Sequence, residues 1–204
     1  MKDHPKIQLS LFEMDLVNNA GWILTKNDII QKAKQLLLGL QEKQQAHLQL
    51  QLPNIPAEIL KPIAKISKGE NYQGLPYLIL DFPRFFEHKD IFAIRTMFWW
   101  GNFFSITLHL SGNYKTMFAQ KIIACYELLK ETDFFICVHE EQWQHHFEDD
   151  NYIQVSKWNK DDFEYTINTG TFIKLANKVS LRQWDDAQEI LLQHFKQIIE
   201  VLTV

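Results

Sequence analysis

The stretch IFAIRTMFWWGNFFSITLHL, residues 91–110, decides the fold. Two runs of β-branched and aromatic residues flank Gly101-Asn102, a hairpin signal. Glycine at the first central position suits a two-residue type II′ turn. That turn predicts a register in which Trp100 faces Phe103, Trp99 faces Phe104, Met97 faces Ile106 and Arg95 faces Leu108. Strand side chains alternate between faces. One face is then apolar apart from Arg95, and the other mixes Ile94, Thr96 and Phe98 with Ser105, Thr107 and His109. Trp99 and Trp100 point to opposite sides, so at most one joins the main core. The helices, a partner or a ligand must cover the other.

Upstream of the hairpin, Leu75 to Phe82 reads as a strand buried on both faces and ended by Pro83. Before it lies a loop, Ser67 to Gly74, with two glycines and the reach to close over a pocket. A short helix is expected from Ala57 to Ile66, with Pro62 inside it or at its edge. A longer helix runs from Asp28, after N-cap candidates in Thr25 to Asp28, to about Gln51. Its apolar stripe is Ile29, Ile30, Ala33, Leu36, Leu37 and Leu40. Gln41, Gln44, Gln45, Gln49 and Gln51 form its wet face, and Pro53 and Pro56 stop it. Ile7 to Asn18 forms a first short helix that ends near Gly21.

Downstream, Tyr114 to Lys130 is helical, with Met117, Phe118, Ile122, Cys125, Leu128 and Leu129 inward. Phe134 to His139 is a strand, Glu140 to Asp150 a charged turn or loop, and Tyr152 to Trp158 another short strand. Phe163 to Asn168 and Thr171 to Leu175 read as a second hairpin around Thr169-Gly170. Asp185 to Leu202 closes the chain as a helix. Antiparallel strand runs flanked by helices define an α+β class, with a meander over residues 75–111 and further strands near 134–139 and 163–175. The 204 residues fit one domain, its helical segment 1–66 packing on an α+β core 67–204.

Composition narrows the function classes. A net charge of −4 and no dense Lys/Arg cluster argue against nucleic acid as a partner. No stretch is long and apolar enough for a membrane span, and MKDHPKIQLS lacks the apolar core of a signal peptide. Cys125 and Cys137 sit among apolar neighbours and read as buried free thiols, which fits a cytoplasmic location. P-loop, dinucleotide-binding, nucleophile-elbow and HExxH motifs are all missing, so enzymatic activity is left open.

Three readings of function follow. In the first, the protein is a binding module whose mixed face (Thr96, Ser105, Thr107, His109) carries a small-molecule or partner site. Arg84 or Arg95 then meets an anion, and Trp100 is a further candidate ligand-binding residue. A buried arginine needs a partner, and an internal carboxylate such as Asp81 or Glu70 serves equally well. In the second, the protein is a hydrolase holding a divalent metal on His139, His145, His146 and Glu148, a residue set that suits Zn, Fe or Mn. The same cluster also reads as a solvated connection. In the third, the Trp100/Phe103 hairpin tip forms a homodimer contact.

Overall fold

In the computed structural model, which describes residues 7–51, 55–61 and 63–203, the hairpin forms with a longer turn than expected. β3 (Asp90–Trp99) and β4 (Phe103–Ser111) pair so that Trp99 faces Phe103, Phe98 faces Phe104 and Arg95 faces Thr107. The connection is therefore three residues, Trp100 to Asn102, with Gly101 at φ +74 and the Asn102 amide donating to the Trp99 carbonyl at 3.1 Å. This is a one-residue slip from the two-residue turn, and it transfers all of β4 to the other face relative to β3.

Burial explains the choice. In the observed register Ile94 and Phe98 share a face with Phe104, Ile106, Leu108 and Leu110, and those four β4 residues are wholly buried. Each such side chain contributes about 1.5–3 kcal/mol when removed from water. The two-residue turn would instead have set Ile94 and Phe98 opposite His109 and Ser105, and Arg95 among Phe104, Ile106 and Leu108. Thr96 goes with the apolar face, away from Ser105, Thr107 and His109, and its hydroxyl has no partner among the described residues. The two tryptophans do lie on opposite sides. Trp99 is buried against Tyr72, its indole N–H donating to the Tyr72 carbonyl at 3.2 Å. Trp100 is half-buried on the helix side, edge-on to Phe98.

Around the hairpin stands a seven-stranded antiparallel sheet in the spatial order β1-β2-β3-β4-β7-β5-β6, so the fold is α+β. The chain first makes a meander of β1 (Lys65–Tyr72), β2 (Leu75–Glu87), β3 and β4. After α4 (Gly112–Ala124) and α5 (Tyr126–Glu131) come the short strands β5 (Phe135–Cys137) and β6 (Tyr152–Gln154). α6 (Lys160–Thr169) then returns the chain so that β7 (Phe172–Ser180) fills the slot between β4 and β5. α7 (Ala187–Thr203) packs with α4 and the long α2 (Ala20–Gln51) on the apolar face, where one buried cluster joins Leu37, Phe92, Phe104, Phe118 and Phe195.

Several elements differ from the sequence reading. α1 spans Leu11–Asn18, and α2 begins at Ala20 rather than Asp28, running through Gly21. The glycine loop 67–74 belongs instead to edge strand β1 and its turn, so it closes over nothing. Pro83 lies inside β2, after a cis bond and within a register shift between Asp81 and Arg84. The helix after β4 is divided at Cys125, and Met117 is exposed. The second hairpin is absent, because Phe163–Asn168 is helical. Asn159 caps that helix by accepting the Asp162 amide at 2.8 Å, and Phe163 and Ile167, four apart, are its buried stripe. The short helix before β1 is only α3 (Ala57–Leu60). Pro53 and Pro62 fall outside the described residues.

Gln44 contradicts the wet-face reading. It is fully buried, and neither amide atom has a hydrogen-bond partner among the described residues. Leaving a buried amide unpaired costs about 1–3 kcal/mol. Gln44→Met keeps the shape and removes the polar atoms, so it is expected to stabilise the protein by about 1–2 kcal/mol in urea unfolding. An unchanged or lower midpoint would show that the amide is satisfied in solution.

Candidate functional site

The sheet face opposite the helices is crossed by the connection between β5 and β6, residues 138–151, which forms an irregular strap. Its base is pinned by Asn151, which is buried, donates to the His146 carbonyl at 2.5 Å and accepts from the Cys137 thiol. Phe147 stacks on Tyr152 at 4.6 Å between ring centres and meets Phe103 and Phe135 edge-on. Beyond that apolar anchor, the strap meets the sheet through hydrogen bonds and through Trp143, which lies edge-on to His109. The Tyr72 hydroxyl accepts the amides of His145 (2.7 Å) and His146 (3.1 Å).

Beneath the strap lies a group of ionisable side chains on four neighbouring strands, β2, β3, β4 and β7. Register places Asp81, Arg95, Thr107 and Ala176 in one cross-strand row and Ala93, His109 and Lys174 in the next. Arg95 holds Asp81 through two bonds, Nε–Oδ1 2.7 Å and Nη2–Oδ2 3.0 Å. A bidentate pair of this kind is the strong form of a charged hydrogen bond. The internal carboxylate is therefore the partner Arg95 uses. Its Nη1 lies 3.4 Å from His145 Nε2, and Trp143 of the strap packs over the guanidinium at 5.7 Å. Because guanidinium only donates, Nε2 of His145 presents a lone pair and the ring is neutral.

Lys174 is different. It is 1% exposed, yet among the described residues no carboxylate forms an ion pair with it. Its ammonium donates to the Gln144 carbonyl and faces the Tyr152 ring at 5.0 Å. The Tyr152 hydroxyl is also buried and has no hydrogen-bond partner among the described residues. Desolvation, with Arg95 adding repulsion, pushes the Lys174 pKa down to about 8. At pH 7 roughly nine-tenths of it remains charged. Since Asp81 neutralises Arg95, the buried group carries a surplus positive charge.

The histidines record that charge. His109 is buried and its Nε2 lies 2.9 Å from Gln142 Oε1 of the strap. Burial first, then Lys174 and Arg95, push its pKa down to about 3. His145 is lowered well below its usual value, by burial and then by the same two cations. A cleft of about 480 Å³ opens beside the group, and Gln142 and Trp143 line it together with Ile91, Ser111 and Phe172. These two strap residues stand between the cleft and the cations.

The sequence-derived candidates are thus divided. Arg95, Thr107 and His109 gather beneath the strap; Ser105 shares their face one row further along, and Thr96 lies on the other face. Arg84 is on β2 past the register shift, its Nε donating to the Ile63 carbonyl at 3.1 Å. Trp100 packs against the helix-side core and Phe103 against Trp99 and Phe147, so the hairpin tip meets its own chain. His139 accepts the Glu141 amide, His145 faces Arg95, and His146 Nδ1 lies 3.7 Å from Asp150. Glu148 is exposed. Among the described residues no three His, Cys, Asp or Glu side chains are placed to hold a metal, so these four do not form one ligand set. The sequence reading missed Lys174, Tyr72 and Tyr152. A lysine in the apolar run FIKLA was the available signal for the first.

No protein-family model matches the chain, and no curated protein or solved structure matches it either. Among the described residues no helix is long and apolar enough to cross a membrane.

Both depressed histidines bind protons more tightly in the unfolded chain, so stability falls as pH drops from 6.5 toward the folded values. His109→Gln should reduce that slope by up to one proton, about 1.4 kcal/mol per pH unit, between pH 6 and pH 4. Urea unfolding across that range measures it. Equal slopes in both proteins would mean that His109 titrates normally.

Proposed function

We propose that the protein is a binding module for a small oxyanion, a carboxylate or a phosphate, taken up between the sheet and the strap by Lys174, Arg95 and His109. The observation that carries this reading is the buried, unpaired ammonium of Lys174. An uncompensated charge in a low-dielectric site costs several kcal/mol, and neither a single carbonyl nor a cation–π contact of about 2 kcal/mol replaces a counter-ion. The Gln144 carbonyl occupies the place where an oxyanion oxygen would bond. Tyr152 and Tyr72 add hydroxyls at the margin of the same space.

The strap supplies the means of entry. Residues 139–146 are held on the sheet by hydrogen bonds to Tyr72, His109 and Lys174, each of which an incoming anion or water can replace. Its base at Asn151 and Phe147 is fixed by packing. Lifting the outer half would join the 480 Å³ cleft to the cations. Glu140 and Glu141 are exposed and line the same cleft, where they oppose an anion's approach while the strap is closed. Two buried free thiols support a reducing, cytoplasmic setting for this module.

Lys174→Met separates a binding role from a structural one. Exchanging the unpaired buried charge for an apolar chain should leave stability at pH 7 unchanged or raise it by about 0–2 kcal/mol. Thermal shift with phosphate, sulfate, citrate and succinate, against chloride at equal ionic strength, should show stabilisation of the wild type by one of these classes. The Lys174→Met protein should lose that response while keeping its fold. Identical responses in both proteins, or none above chloride in the wild type, would refute the reading.

A further inference from the structure

The N-terminal arm, α1 with the first turns of α2, carries a surface that the strap site does not use. No residue of α1 is buried, and the first fully buried residue along the chain's described part is Ile30. Leu11 is 87% exposed, Phe12 71% and Val17 70%, and Met14, Ile23 and Leu24 are exposed as well. At 100° per residue, Leu11, Phe12, Met14, Leu16 and Val17 ring the helix instead of forming one stripe. Five of its eight residues are apolar, and exposed apolar area of that extent marks an interaction surface. Its fold is nonetheless well specified: Ser10 and Glu13 form a reciprocal capping box that starts it.

We propose that this arm pairs with the arm of a second copy of the chain about a two-fold axis. Area supports this. The exposed apolar side chains between Ile7 and Leu24 total on the order of 1,000 Å², so the side of the arm turned to a partner supplies a large share of the roughly 800 Å² per partner of a stable interface. Charge supports a copy of itself as occupant. Between Ile7 and Thr25 the only charged residues are Glu13 and Asp15, and Glu13 is engaged in its cap. A two-fold contact sets the same patch against itself, which a nearly uncharged apolar surface tolerates. The arm has no Lys or Arg in that span to draw it to anionic lipid. A second arm packed alongside would cover sides of α1 that its own chain leaves open.

Sedimentation equilibrium of the full chain tests this, against Phe12→Glu combined with Val17→Glu. Both residues are exposed and glutamate favours helix over valine or phenylalanine, so the variant keeps its core, as an unchanged circular dichroism spectrum will report. The wild type is expected to sediment at twice the 24.2 kDa chain mass in the micromolar range. The variant should dissociate at least about tenfold more readily. A wild type that stays monomeric overturns the proposal. So does a dimer that the variant leaves intact, and so does a monomer that partitions onto phosphatidylcholine vesicles, which would make the arm a lipid contact.

Discussion

The pairing of Trp99 with Phe103 governs the arrangement of the molecule. One more residue in the turn moves every β4 side chain to the opposite face relative to β3. In the observed register the helix-facing side of the hairpin is almost wholly apolar, and α2, α4 and α7 cover it. The same step collects Arg95, Thr107 and His109 on the other side, where β7 adds Lys174 beside His109. The core and the cation group are thus two consequences of one register. Thr96 is the residue that the register disfavours, its hydroxyl sealed among apolar neighbours.

On the strap side, electrostatics and burial are in opposition. Asp81 neutralises Arg95, the two histidines give up their protons, and Lys174 keeps most of its charge at neutral pH. A protein that needed only stability at this position would gain from an apolar side chain or a carboxylate partner. Strain or unpaired charge that persists where a simple substitution would relieve it is characteristic of functional sites. The strap closes over the charge with backbone and amide groups that solvent or a ligand can displace, while its apolar foot stays fixed.

The α+β class, the meander and the two free buried cysteines were legible in the sequence, because strand patterning and apolar context are local properties. The hairpin itself was legible, but its register was not: Gly101-Asn102 is compatible with two turn lengths, and only the helices packed across the sheet select between them. Phe163 to Asn168 misled because alternating and four-residue spacings coincide over six residues; the Asn159 cap was the discriminating sign. Pro83 misled because a register shift admits proline inside a strand. Of the site, Arg95, Thr107 and His109 were visible as polar residues in an apolar hairpin. Lys174 and the strap contacts of Tyr72 join them through pairings more than 60 residues apart in sequence, which no local pattern reveals. The imidazoles of the strap suggested a metal, and the structure instead places His145 against a guanidinium.

The most direct measurement is an NMR titration of the Lys174 side chain, with and without phosphate or a dicarboxylate. A midpoint near 8 is expected in the free protein, rising toward the ordinary lysine value of about 10.4 when the anion is bound. An ordinary midpoint in the free protein, or one near 8 that neither anion moves, would contradict an anion site at Lys174.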